Sequence, residues 1–286
     1  MNLSIFNFNK IYRIVIIFVV LFIFYNVYLI VQKPNVTMLQ NQWQNNYSFA
    51  QDFIYDNKAK NIIVGSSMAA RIQNKFLPKN YYNLSFSGGS VLTGLEIIKR
   101  SGFIPKNIYI ENNIIFRYKD NKLLNALFYP FLWEIKKYVP ALREKYQPLN
   151  LLISKIKGSY GKTHDELLKI SRDNNIYDLS MKRQQKNYDK NLKQYDIKLK
   201  QLKNLVKYFE AQGTKITFFE MPIDINLAKS IKAKEQRNVI KVNFKNNWMR
   251  LPDNDEYTTT DGIHLIYKSA YEYSDEFLKL TRRGNE

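Results

Sequence analysis

Four short segments of this chain carry residue types that could perform acyl transfer. Gly65-Ser66-Ser67-Met68 offers a serine hydroxyl, and Ser87-Gly88-Gly89-Ser90 offers backbone N–H groups in a glycine turn. Glu111-Asn112-Asn113 offers side-chain amides, and Asp261-Gly262-Ile263-His264 offers a carboxylate and an imidazole on one turn. A serine hydroxyl is a weak nucleophile until a base takes its proton. His264 can be that base, and Asp261 can fix the tautomer of its ring. A glycine N–H and an asparagine amide can donate to a developing oxyanion. Taken singly, each segment has an ordinary explanation. Serine after glycine at a strand end is commonly a turn or an N-cap, and Gly88-Gly89 a tight turn. Asn113 alone reads as a backbone cap, and His264 alone as a structural histidine. The weight lies in the chain order and in where the segments fall.

Three of them follow predicted strands. Lys60–Val64 is an apolar run stopped by Gly65, Tyr81–Ser85 precedes Gly88, and Asn107–Glu111 forms a third strand. A fourth, Lys215–Phe219, ends at Met221-Pro222. Val91–Ile98 reads as a helix with Leu92, Leu95 and Ile98 on one face. The spacing of Tyr188, Leu192, Tyr195, Leu199, Leu202, Val206 and Phe209 predicts one continuous helix stopped by Gly213. A last helix is predicted from about Tyr267 to Leu280. Strands alternating with helices predict an α/β fold, a parallel sheet with helices on both faces. In such a sheet ligands bind at the carboxyl ends of the strands, where these loops lie. Residues 118–180 break the rhythm with Pro130, Pro140 and Pro148 between short helices. They read as a helical insertion: a lid, a membrane-facing surface or a plain helical layer.

Ile14–Val31 is an apolar run without a charge. As a helix it reaches roughly 27 Å, close to the ~30 Å hydrocarbon thickness of a bilayer. Asn26 is its one strongly polar residue, and Tyr25 and Tyr28 stand toward its far end, where interfacial aromatics are expected. Lys10 and Arg13 precede the run and Lys33 follows it, so the positive-inside rule keeps the N-terminus cytoplasmic. No small-residue cleavage site follows, which favours a retained anchor over a signal peptide. The expected organisation is residues 1–33 as cytoplasmic N-terminus and transmembrane anchor, 34–57 as juxtamembrane linker or first helix, and 58–286 as the catalytic domain with its insertion.

The chain has 286 residues, no Cys and only 2 His. Disulfides, thiolate nucleophiles and Cys-based zinc sites are excluded, and a multi-histidine metal site is not expected; no metal or cofactor is called for. The net charge of +19 suits polyanions, although a Lys- and Asn-rich coding bias yields the same number. No nucleic-acid motif is present. Gly158-Ser159-Tyr160-Gly161-Lys162-Thr163 imitates a phosphate-binding loop, but Ile156 stands where the first glycine is required. Thr163-His164-Asp165-Glu166 has the spacing of a capping box at a helix start, so His164 is read as structural.

The blocks, in this order, resemble the SGNH (GDSL-like) hydrolase superfamily. Its first block, Gly-Asp-Ser, reads Gly65-Ser66-Ser67, with Ser66 in place of the usual Asp. The second-block glycine falls on Gly88, led in by Asn83-Leu84-Ser85-Phe86-Ser87. The third block, normally Gly-x-Asn-Asp, reads Glu111-Asn112-Asn113-Ile114; its Asn falls on Asn113, with Asn112 a rival. The last block is intact as Asp261 and His264. The resemblance spans residues 58–117 and 188–281, and implies a three-layer α/β/α, flavodoxin-like domain. It also implies a catalytic triad of Ser67, Asp261 and His264 and an oxyanion hole of Ser67, Gly88 and Asn113. The Gly-Ser-Ser and Glu-x-Asn variants look like the bacterial envelope branch: alginate and peptidoglycan O-acetyltransferase proteins and the D-alanyl transfer protein of teichoic acids. That branch implies one helix in the bacterial cytoplasmic (inner) membrane, an extracytoplasmic domain, and a serine acyltransferase acting on a cell-surface glycan. A multipass membrane-bound O-acyltransferase is the implied partner. An envelope esterase or deacetylase of the same fold, and a non-catalytic partner of an acyltransferase, are the alternatives; nucleic acid is not an expected partner.

Overall fold

The computed structural model describes residues 8–36, 41–158, 162–244 and 248–283. The Walker-like residues 159–161 lie outside them. The helices, in chain order, are α1 (Phe8–Gln32), α2 (Gln42–Asp56), α3 (Val91–Ser101), α4 (Asn121–Leu127), α5 (Leu132–Tyr138) and α6 (Pro148–Gly158). They continue with α7 (His164–Leu168), α8 (Asn174–Tyr188), α9 (Asp196–Glu210), α10 (Ile225–Ala228), α11 (Ile231–Asn243) and α12 (Tyr267–Arg283). The strands are β1 (Asn61–Val64), β2 (Tyr81–Asn83), β3 (Asn107–Glu111) and β4 (Lys215–Phe219). The chain forms two compact units. One takes residues 1–51 and 127–161; the other takes 52–126 and 162–286. The helical region expected at about 118–180 is therefore divided, its middle joining the N-terminal helices.

The larger unit is mixed α/β, built on a four-stranded, all-parallel sheet in the order β2-β1-β3-β4. Asn61 pairs with Tyr81 on one side and with Asn107 on the other, and Asn107 pairs with Lys215. β1 and β3 are central and wholly buried, which is why they read as unbroken apolar runs rather than as alternating ones. α3 starts at Ser90, whose hydroxyl accepts from Leu92 N–H, and stops at Gly102 in the left-handed conformation. It lies close against β1: a side chain at Gly94 would meet Val64 Cγ1 at 3.1 Å. Tyr273 and Phe277 of α12 join Ile63, Tyr109 and Phe219 in a hydrophobic cluster, together with Met181 and Tyr188 of α8.

The predicted helix 188–209 is two helices. α8 ends at Tyr188 and α9 begins at Asp196, so Leu192 and Tyr195 lie between helices. The apolar spacing runs through Asp189-Lys190-Asn191, residues of mostly low helix propensity. Leu192 N–H donates instead to Glu235 Oε2 at 2.6 Å, and Gln194 takes a positive φ of 51°. A tertiary hydrogen bond thus replaces an intrahelical one, and two separately buried apolar faces had imitated one.

In the other unit, α1 is long and apolar enough to cross a membrane, with a mean hydropathy of 3.0 over an 18-residue window within Lys10–Gln32. Two of its polar residues meet the segment after α5. Asn26 Oδ1 accepts from Ala141 N–H at 3.1 Å, and Tyr25 O–H donates to the Tyr146 carbonyl. α2 is tied to the same segment: Lys136 Nζ donates to Tyr47 Oη at 2.8 Å, and Gln51 Oε1 accepts from Glu144 N–H.

The break between α8 and α9 makes opposite demands on Gln194 from those of a continuous helix. In a helix interior, Gln194→Gly would lower stability by about 1 kcal/mol. At a left-handed position it relieves a penalty of about 1–2 kcal/mol, which offsets glycine's own entropic penalty. Denaturant unfolding of the variant should show stability unchanged or slightly raised.

Candidate active site

β1 delivers Gly65 and Ser66 into a turn that presents Ser67, and a short 3-10 turn follows at Ala69–Arg71. The turn is folded around the carboxylate of Glu111, the last residue of β3 and fully buried. Glu111 Oε2 accepts from Ser66 N–H at 2.6 Å and from Ala69 N–H at 3.3 Å, and Ser66 O–H donates to the same carboxylate at 2.9 Å. Burial pushes the Glu111 carboxyl above the usual range, opposed by these hydrogen bonds and by the charge of Arg117. Gly65 makes the approach possible, since a Cβ there would lie 2.6 Å from Glu111 Oε2 and 2.5 Å from Ala69 Cβ. A second clamp comes from Asn83 at the end of β2. Its Nδ2 donates to Ala69 O at 2.7 Å and to Ile72 O at 2.6 Å, while its Oδ1 accepts from Ser85 N–H.

The Asp261–His264 segment forms its own tight turn. Asp261 Oδ1 accepts from the N–H of His264 at 2.8 Å and of Ile263 at 3.2 Å. Gly262 sits at φ +91°, where a Cβ would lie 2.3 Å from Met181 Sδ. The turn aims the imidazole in two directions. His264 Nδ1 is 2.7 Å from Asp261 Oδ2, and His264 Nε2 is 2.8 Å from Ser67 Oγ. An Nδ1–H donated to the carboxylate leaves the Nε2 lone pair to receive the Ser67 proton. Burial alone would raise the Asp261 carboxyl, but hydrogen bonds from the His264 ring and backbone, and from Ile263 N–H, hold it down at about 2. Arg71, on the 3-10 turn after Ser67, feels the Asp261 charge; burial lowers its guanidinium and that charge opposes the shift.

The two asparagines diverge. Asn112 is buried, and its Nδ2 donates to Glu220 Oε1 at 3.0 Å. Asn113 lines a cavity of about 920 Å³. Its carboxamide makes a reciprocal pair with the Met221 backbone, donating to O at 2.9 Å and accepting from N–H at 2.7 Å, so one amide hydrogen stays available. Gly88 holds φ +67° in the turn closed by Gly89 N–H to Phe86 O. Among the described residues, the backbone N–H groups of Ser67 and Gly88 have no acceptor. The structure thus brings Ser67, His264 and Asp261 into one relay. Gly88 and Asn113 sit in the loops at the same end of the sheet. His164 stands apart, its Nδ1 2.9 Å from Tyr267 Oη, beside the Thr163–Glu166 capping box.

The supporting roles of Glu111, Ser66 and Asn83 around Ser67 were not read from the sequence. A charged residue closing an apolar strand is a usable signal, because a lone acid there must find partners.

No family model, no curated protein and no solved structure matches this chain.

The low Asp261 value carries a stability prediction. A depressed carboxyl contributes fully above its unfolded value near 3.8 and loses the contribution as pH falls through about 2. Asp261→Asn should lower unfolding free energy at pH 7 by up to about 2 kcal/mol, with the gap to the parent chain closing between about pH 4 and pH 2 in denaturant titrations.

Proposed function

We propose that this chain is a membrane-anchored, extracytoplasmic serine acyltransferase of the SGNH type that O-acetylates a cell-envelope or surface polysaccharide through an acyl-Ser67 intermediate. The observation that carries the reading is the relay of 2.8 Å and 2.7 Å from Ser67 through His264 to Asp261. Ser67 lies 197 positions from His264 in sequence, and the arrangement has the geometry that serine acyl transfer requires. The strand order and the loops at the carboxyl ends of β1, β2 and β3 fit a flavodoxin-like site. Neighbouring strand residues point to opposite faces; α3 meets Val64 and α12 packs with Ile63, as a three-layer sandwich requires. α1 supplies the anchor, with Lys10 and Arg13 at its cytoplasmic end.

In the first half-reaction, His264 Nε2 takes the Ser67 proton as Oγ bonds to the carbonyl carbon of an activated acetyl ester. The negative charge on the carbonyl oxygen is received by the N–H groups of Ser67 and Gly88 and the remaining Asn113 amide hydrogen. Collapse breaks the bond to the leaving group, which takes the proton from His264. In the second, a glycan hydroxyl gives its proton to His264 and attacks the acetyl carbon, and Ser67 Oγ leaves and recovers the proton. A multipass acyltransferase is the proposed source of the acetyl group on the outer face.

With p-nitrophenyl acetate and the full chain in neutral detergent, Ser67→Ala and His264→Ala should each reduce kcat/KM by about 10³-fold or more. Asp261→Asn should fall in the same range through the wrong tautomer. Full activity in Ser67→Ala removes the mechanism. Rapid acid release that no glycan intercepts makes the chain an esterase.

A further inference from the structure

The cavity beside Asn113 is lined by four cations, of which Arg117 feels the buried Glu111 charge. Arg117, Lys190, Lys193 and Lys232 line it, and no acidic side chain does. Ile263, which precedes His264 in the chain, also lines it. Among the described residues none of the four cations has an ion-pair partner. Arg117 Nη1 donates to Gly89 O at 3.1 Å, and Lys232 Nζ stands 5.5 Å from the Tyr188 ring. The nearby carboxylates are engaged elsewhere. Glu220 holds Arg237 in a two-pronged pair at 2.7 Å, Glu235 holds Leu192 N–H, and Glu111 holds the nucleophile turn.

Arg117 and Lys232 are half-buried, and repulsion between like charges there is screened less than at an open surface. The effect reaches Lys232: burial, Arg117 and Lys190 together push its ammonium below the ordinary lysine value. Lys190 and Lys193 are exposed, as are Lys203 and Lys207 of α9, but the first two line the cavity together with the half-buried Arg117 and Lys232. The four cations thus share one concavity of about 920 Å³ with Asn113 and with Ile263, the residue before His264.

We propose that this cleft binds an anionic group, a carboxylate or a phosphate, on the acceptor glycan, and holds the neighbouring sugar hydroxyl toward Ser67. Guanidinium and ammonium donors suit both oxyanions. As an acceptor site the cleft rests on the proposed acyl transfer; as an anion site it does not, so it is tested by binding.

The test is calorimetric titration of the full chain in neutral detergent, in the Ser67→Ala background, with three probes: hexagalacturonate, a glycerol-phosphate oligomer and maltohexaose. One or both anionic probes should bind, saturably and more weakly as salt rises, and the neutral one should not. The preferred probe names the source of the anion. Arg117 also holds the Gly89 turn, so Lys232→Gln and Lys190→Gln, which bond no backbone, carry the mutational arm. Each should weaken binding by about tenfold, while the double change Lys203→Gln with Lys207→Gln leaves it unchanged. Equal binding of maltohexaose, or equal loss in the Lys203/Lys207 variant, overturns the proposal. A chain that binds the anion but forms no acyl-Ser67 keeps this inference and loses the catalytic one.

Discussion

The carboxylate of Glu111 is taken out of water at the end of β3, and the loop that carries Ser67 is folded around it. A buried carboxylate is costly unless donors surround it. Here the donors are Ser66 N–H, Ser66 O–H and Ala69 N–H, all from the turn that carries Ser67. The need to satisfy one charge therefore fixes the path of the backbone just where the serine must point outward. Gly65 is the geometric condition for it, because any side chain there would collide with Glu111. Asn83 braces the same turn from the other neighbour of β1. Ser67 thus stands on a base held by both flanking strands, and the His264 turn reaches it from the C-terminal segment.

The interruption between α8 and α9 ties this base to the cleft. One helix from Tyr188 to Phe209 would have carried Lys190 and Lys193 along a rod. The break instead holds that segment as a loop through Leu192 N–H and Glu235, and places both lysines on the cavity with Asn113 and Ile263. Meanwhile Met181 of α8 packs against Gly262 within the Asp261–His264 turn. The Asp261–His264 turn and the cleft are therefore shaped by the same helix and its end.

Much of the sheet was legible because buried parallel strands write themselves as apolar runs: Lys60–Val64, Asn107–Glu111 and Lys215–Phe219 are each found within a residue of expectation. The Asp261–His264 spacing was legible because one turn brings both groups together. The split of the 188–209 helix was not, since Leu192 and Tyr195 keep the helical period while a distant glutamate decides the backbone. The supports of Ser67 were hidden for the same reason: Glu111 meets Ser66 across 45 positions of sequence. The partition of residues 127–161 into the N-terminal unit depends on contacts such as Asn26 with Ala141, which no local pattern records.

The account stands on Ser67 becoming acylated with His264 as its base. The most direct measurement is the intact mass of the full chain after brief exposure to an activated acetyl ester, followed by peptide mapping. The account predicts one added acetyl group on Ser67, absent in His264→Ala. A folded chain that gains no adduct and releases no acid, or that carries the acetyl group elsewhere, would contradict it.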